Sequence, residues 1–269
     1  ASDVYKRQSL ILGGIILGIY TGLLGYVGAK TGLSLDLLSQ RAFGEKGSYL
    51  PSAMTSFTQI GWFGVGSFVS GGTATPNFAR FAKDGKAGAI TTVVAFFIGN
   101  SLMFFFGAVS SIFVGGNDIF EVMVRLNLFY LAVLVLGLNI WTTNDNALYT
   151  AGLGLANIFH QRKKPMVLLS GIIGTVASVW LYYNFCGWLN ILNCTLPPVG
   201  MILVLAYFMN KKDFETDQPK LKTVDWFAVA GVILGAIVAN LLHWGIASIN
   251  GMVVAAVCYC VGQAVNKRK

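Results

Sequence analysis

Apolar stretches long enough to cross a bilayer recur along this chain, and short clusters of lysine and arginine separate them. A helix needs about 20 residues to cross a hydrocarbon layer. Lipid offers no hydrogen-bond partner, so every backbone polar group must be satisfied within the protein. The pattern therefore dictates an all-α integral membrane bundle, with the lipid bilayer as its first partner. Only 11% of the residues are charged and 55% are apolar, whereas a soluble domain carries about a quarter charged. The net charge of +8 is not a nucleic-acid signal, because the basic residues gather at span ends, where topology places them.

Residues 1–8 are polar and unlike the rest of the chain; they are set aside as a non-native leader. Residues 9–269 form one membrane domain of about seven or eight segments: 9–29, 51–79, 87–114, 124–158, 166–183, 188–209, 224–242 and 246–265. Between the first two, Leu33, Leu35, Leu37, Leu38 and Phe43 interleave with Arg41, Glu45 and Lys46, which predicts a short amphipathic helix on the membrane face. Loops 115–123, 184–187 and 243–245 carry no lysine or arginine. Placing every basic cluster on the cytoplasmic side puts the C-terminus there as well.

Segment 51–79 breaks the accounting. Basic clusters flank it on both sides, yet its 29 residues are too few for two spans. Gly61, Gly64, Gly66, Gly71 and Gly72 also weaken it as a single helix. A broken or re-entrant segment satisfies both facts, and broken backbone is tolerated at membrane depth only where it is buried or lines a wet cavity. This segment carries Gln59, Trp62, Ser67, Phe68 and Ser70. An amide and hydroxyls can read the edge of a heterocycle, and two rings can clamp its faces, at about 1–3 kcal/mol per stacked base. Packing rings fit the same residues.

The second polar run is 138–146, LNIWTTNDN, inside an apolar segment. Asp145 costs about 2.5–3.5 kcal/mol at a helix centre, so it should face a pathway or a partner. Asn139, Thr142, Thr143 and Asn146 share one helical face by their spacing. Their oxygens can coordinate a hard cation such as Na⁺, hydrogen-bond a polar ligand, or tie helices together. Asn190, Asn193, Pro197 and Pro198 predict a bend or a gate. Gly13, Gly14 and Gly18, and the pair Gly171 and Gly174, predict close helix packing. Cys186, Cys194, Cys258 and Cys260 form no CxxC pair and read as buried free thiols. His160 and His243 sit at span ends. No His–Ser, Cys–His or paired-carboxylate arrangement suggests an enzyme.

These motifs resemble those of the nucleobase:cation symporter-1 family, the purine-cytosine permeases. The matching stretches are GIYTGLLGYVGAKTGL (18–33), TQIGWFGVG (58–66), GSFVSGGTATPNFARF (66–81), FFIGNSLMFFFGA (96–108), VLGLNIWTTNDNALYTAGLGLANI (135–158), GIIGTVASVWLYYNFCGWL (171–189) and PPVG (197–200). The likeness covers essentially everything after Gln8, and LNIWTTNDNALY is its most specific part. It implies a LeuT-like bundle of inverted repeats with substrate and ion near the midplane. It implies Na⁺-coupled import of cytosine across a bacterial inner membrane, with Na⁺ as coupling ion and no other cofactor. Purine, allantoin or hydantoin import, or a truncated non-transporting remnant, are the alternatives.

Carried over by position, Trp62 and Phe68 sandwich the base, and Gln59, Ser67, Ser70 and Asn144 hydrogen-bond it. The Asn139 carbonyl, Thr142 and Thr143 belong to the Na⁺ site. The resemblance also implies an incomplete bundle. The chain opens on what resembles the family's second helix. It then passes from the middle of the third into the middle of the sixth, at the GVG sequence.

Overall fold

The computed structural model describes residues 2–65, 74–115, 119–216, 219, 221–242 and 246–266, with side chains from Ile15 onward except at 60–65, 100, 104, 111 and 182. The described residues contain helices and no strands. Helix α1 (Ser2–Thr31) includes the first expected span and stops at Gly32, whose φ of +67° lies in the left-handed region that favours glycine. Helix α2 (Leu35–Phe43) starts on Ser34, whose hydroxyl accepts the Leu37 N–H, and ends at Gly44. Helix α3 (Tyr49–Val65) comes next.

Helix α4 (Pro76–Ala79) is a single turn, after which α5 (Gly85–Val93) is capped by Asp84, a π-helical turn spans Val94–Gly99, and α6 covers Asn100–Val114. The remaining helices are α7 (Ile119–Arg125), α8 (Phe129–Phe159), α9 (Lys163–Tyr183), α10 (Phe185–Met209), α11 (Lys211–Glu215), α12 (Trp226–Leu241) and α13 (Ala247–Asn266). Among the described residues, Gly85–Val114, Lys163–Leu181, Phe185–Met209 and Ala247–Asn266 are long and apolar enough to cross a membrane. Ile15–Thr31 and Trp226–Leu241 are shorter apolar helices. Helices α3 and α8, which carry the polar runs, are not among the four.

The helices pack in three groups: α1 with α4 and α5, α3 with α8 and α9, and α10 with α12 and α13. Helix α2 was expected on the membrane face. Instead Leu35, Leu38, Ala42 and Phe43 are buried in one core with Leu24 and Val27 of α1 and Val199, Ile202 and Leu203 of α10. Its other face buries Asp36 and Ser39. An amphipathic pattern cannot say whether the apolar face meets lipid or protein; here it plugs the junction between groups.

Two further expectations change, and a third is only partly covered by the described residues. Segment 124–158 is broken at Leu126–Leu128, where Asn127 takes a left-handed φ of 59°. Residues 49–65 form one continuous helix despite Gly61 and Gly64, and residues 66–73 of the segment 51–79, expected to be broken or re-entrant, lie outside the described residues. Gly18 and Gly171 meet neighbours only at ordinary distance, whereas Gly174 is buried. The tight crossing of α1 and α5 uses Gly25 and Gly88 instead. A Cβ on Gly25 would stand 2.5 Å from Thr92 Oγ1 and 3.0 Å from the Gly88 carbonyl oxygen.

Pro197 and Pro198 lie inside continuous α10. Added Cβ atoms on Gly235 and Gly251 would lie 3.3 and 3.1 Å from Pro198 Cγ, so this proline is packed into the α12–α13 crossing. The four cysteines are free thiols, but only Cys194 is buried.

Candidate functional site

Helices α3 and α8 run antiparallel, and small residues set their register. Asn157 Nδ2 donates to Ser48 Oγ (3.1 Å) and Ser52 Oγ (2.9 Å). One turn further, Gly154 faces Ser52 and Ser56, and a Cβ on it would sit 2.1 Å from Ser56 Oγ. Ser56 Oγ in turn donates to the Ala151 carbonyl at 3.2 Å. Each turn gained along α3 is a turn lost along α8, so the register brings residues 62–65 to the level of Asn144.

Along α8 the inward stripe runs through Leu155, Gly154, Ala151, Thr150 and Ala147. Asn144 continues that stripe by helical spacing. It is half-buried, and its Oδ1 is buried without a hydrogen-bond partner among the described residues. On the facing helix Gln59 is buried, 7% exposed. Gln59 is thus a buried amide on α3, and Asn144 a half-buried amide on α8. Trp62 lies in α3 at the level of Asn144, with its side chain outside the description. Ser67, Phe68 and Ser70 lie outside the described residues.

The expected ion ligands stand elsewhere on α8. Asn139, Thr142 and Asn146 are exposed and Thr143 is half-buried. Thr142 Oγ1 donates to the carbonyls of Leu138 and Asn139, both at 3.1 Å. These oxygens are thus close neighbours within one helix, and Asp145 beside them is exposed. Among the described residues no group of three or more His, Cys, Asp or Glu could hold a metal ion.

A buried polar network at the opposite end of the interface went unread in the sequence. Asp36 of α2, 5% exposed, accepts from Ser52 Oγ at 2.6 Å. Gln40 Nε2 donates to Asn157 Oδ1 at 2.6 Å, closing a chain from α2 through α8 to α3. Asn77 Oδ1 accepts the Leu35 N–H at 2.8 Å. Arg80, just after α4, donates to the Tyr149 hydroxyl, and Lys163 Nζ sits 3.4 Å from the Tyr149 ring centroid. Burial pushes the Asp36 carboxyl up to about 6, opposed by the Ser52 hydrogen bond and the Arg80 charge. The readable signal was Ser48, Ser52 and Ser56, spaced four apart on one helix face.

Comparison with known proteins gives the family. The family model described as "Permease for cytosine/purines, uracil, thiamine, allantoin" matches residues 8–75 and 65–265. The chain belongs to this family. The two matched stretches overlap at 65–75, so this permease-family sequence joins its two parts in the glycine-rich stretch that holds Gly66, Gly71 and Gly72. The chain is 35% identical to the cytosine permease of Escherichia coli (strain K12) over 354 aligned positions, covering 97% of this chain and 84% of that protein. The cytosine permease of Escherichia coli O157:H7 gives the same values. An alignment of 354 positions exceeds the chain's 269 residues, so these relatives carry residues that have no counterpart here. The family and the relatives are permeases rather than enzymes. With its apolar helices, the chain is a multi-pass membrane protein.

Proposed function

We propose that this chain is a nucleobase permease of the bacterial inner membrane, with its C-terminus cytoplasmic, that binds cytosine between α3 and α8 and couples its import to Na⁺. The observation that carries the reading is the partnerless buried Oδ1 of Asn144 within LNIWTTNDNALY. A buried carbonyl oxygen without a donor costs about 1–3 kcal/mol, and an exocyclic amine or ring N–H of a base would satisfy it. Gln59 supplies an amide from the facing helix, and Trp62, level with Asn144, a ring for stacking. Phe68, Ser67 and Ser70 complete the set as the second ring and two hydroxyls.

Na⁺ prefers hard oxygen ligands. The Asn139 carbonyl, Thr142 and Thr143 offer such oxygens on α8, where the first two are 3.1 Å apart. Further ligands must come from another element. The family description and the cytosine permeases among the relatives favour cytosine as the base.

The test is uptake of labelled cytosine by proteoliposomes holding the full chain, with an inward gradient of Na⁺ or of choline. Uptake should require Na⁺ and vanish in Trp62→Ala and Asn144→Ala. Equal uptake in both variants contradicts the site, and equal uptake in choline contradicts the coupling.

A further inference from the structure

Where the three helix groups meet, α2 buries a carboxylate that the transport reading does not use. Asp36 is held to α3 through Ser52 Oγ at 2.6 Å. The same serine accepts from Asn157 of α8, which accepts in turn from Gln40 of α2. The group containing α1 and α4 reaches this network at two points, Asn77 Oδ1 on the Leu35 N–H and Arg80 on the Tyr149 hydroxyl of α8. Hydrogen bonds thus join two separately packed helix groups around one ionisable side chain.

We propose that Asp36 is a positioning residue in a proton-dependent latch: protonated, it holds α2 closed against α3 and α8, and on losing its proton it lets α2 separate. The inference does not depend on the substrate or the coupling ion.

The sign comes from burial. A solvated aspartate has the ordinary value of 3.8, whereas closed α2 raises it to about 6. Closing therefore takes up a proton between those two values. Below about pH 4 both states are protonated and pH has no effect. Above about pH 6 the closed state must bury a charge, and its advantage is gone. Closure should weaken about tenfold from pH 5 to pH 7.5.

The surrounding charges leave Asp36 as the group that responds. Arg80 acts on it electrostatically and favours the charged form, but less than burial disfavours it. Lys163 of α9 is stacked on Tyr149, and Arg41 of α2 donates to the Asp213 carbonyl of α11 at 2.6 Å. Asp225, at the start of α12, pairs with Lys222. Glu215 of α11 accepts from Tyr207 of α10. His160, at the end of α8, shares a 2.8 Å hydrogen bond with Tyr49 of α3, so this imidazole beside the same helices needs its own control.

The experiment is hydrogen–deuterium exchange of the full chain in lipid nanodiscs from pH 4.5 to 8, corrected for the intrinsic pH dependence of exchange. Protection of peptides covering residues 35–52 should fall about tenfold between pH 5 and 7.5. Asp36→Asn should stay protected throughout, and His160→Gln should keep the native profile. Ser52→Ala, which removes a hydrogen bond favouring the carboxylate, should move the midpoint upward; it serves as the independent check if Asp36→Asn does not fold. Flat native protection, an unchanged profile in Asp36→Asn, a flat profile in His160→Gln or an unmoved midpoint in Ser52→Ala would each overturn the latch.

Discussion

The two halves of α8 differ in burial and in what their polar groups meet. From Ala147 to Phe159 the helix is built on small residues, and Ala147, Thr150, Ala151, Gly152, Gly154 and Leu155 are buried. From Phe129 to Asn146 only Ala132 is buried, while Tyr130 is 88% and Trp141 70% exposed. The half from Ala147 onward reads as packing: Ser48, Ser52, Ser56 and Asn157 find partners across a close helix crossing. The half before it carries polar groups for which no hydrogen bond to another element is found among the described residues, and of these only Thr143 and Asn144 are half-buried. Polar side chains in an apolar helix thus serve two ends: most of those in the packing half are satisfied by the opposing helix, Thr150 Oγ1 excepted, whereas Asn144 keeps a buried carbonyl oxygen without a partner among the described residues.

That contrast can be broken by substitution. Gly154→Val should have the largest effect on stability, because even a Cβ would stand 2.1 Å from Ser56 Oγ and 2.9 Å from the Ser52 carbonyl oxygen. Overpacking of this kind costs about 3 kcal/mol, outweighing the gain in helix propensity. Thermal unfolding in detergent should show a clear drop in midpoint. Asn157→Leu should cost about 2 kcal/mol, since Gln40, Ser48 and Ser52 each lose a partner. The same unfolding assay reads it, and double substitution with Ser52→Ala should be less than additive. In the exposed half, Thr142→Val should change stability by less than about 0.5 kcal/mol, because its hydroxyl bonds only its own helix. A larger loss there would mean that another element covers this face.

How much was legible in the sequence obeys the same division. The spans were readable because lipid imposes length and apolarity on each one, and 9–29 and 166–183 lie within α1 and α9. The break at Asn127 was not, because hydropathy runs through it; only asparagine's tolerance of a left-handed backbone hinted at it. Gly61 and Gly64 argued against a helix that nevertheless forms, showing that propensity is a weak prior against tertiary packing. Helix α2 was located but misplaced, since the same amphipathic stripe suits a membrane surface and a buried plug.

At the candidate site, Gln59 and Asn144 were singled out from motif and spacing; the structure makes the first a buried residue of α3 and leaves the oxygen of the second buried without a partner among the described residues. The Asp36 network could not. Its members lie far apart in sequence, and only folding brings Asp36, Ser52 and Asn157 within hydrogen-bond reach.

The central claim is that the buried oxygen of Asn144 is kept for a guest rather than for the fold. Equilibrium binding of cytosine to the full chain in nanodiscs, measured with the unfolding midpoint on native protein and Asn144→Ala, tests it most directly. Saturable binding that disappears in the variant, with a midpoint unchanged or slightly raised, is the expected result. Binding retained in Asn144→Ala, or lost together with a large drop in stability, would contradict the account.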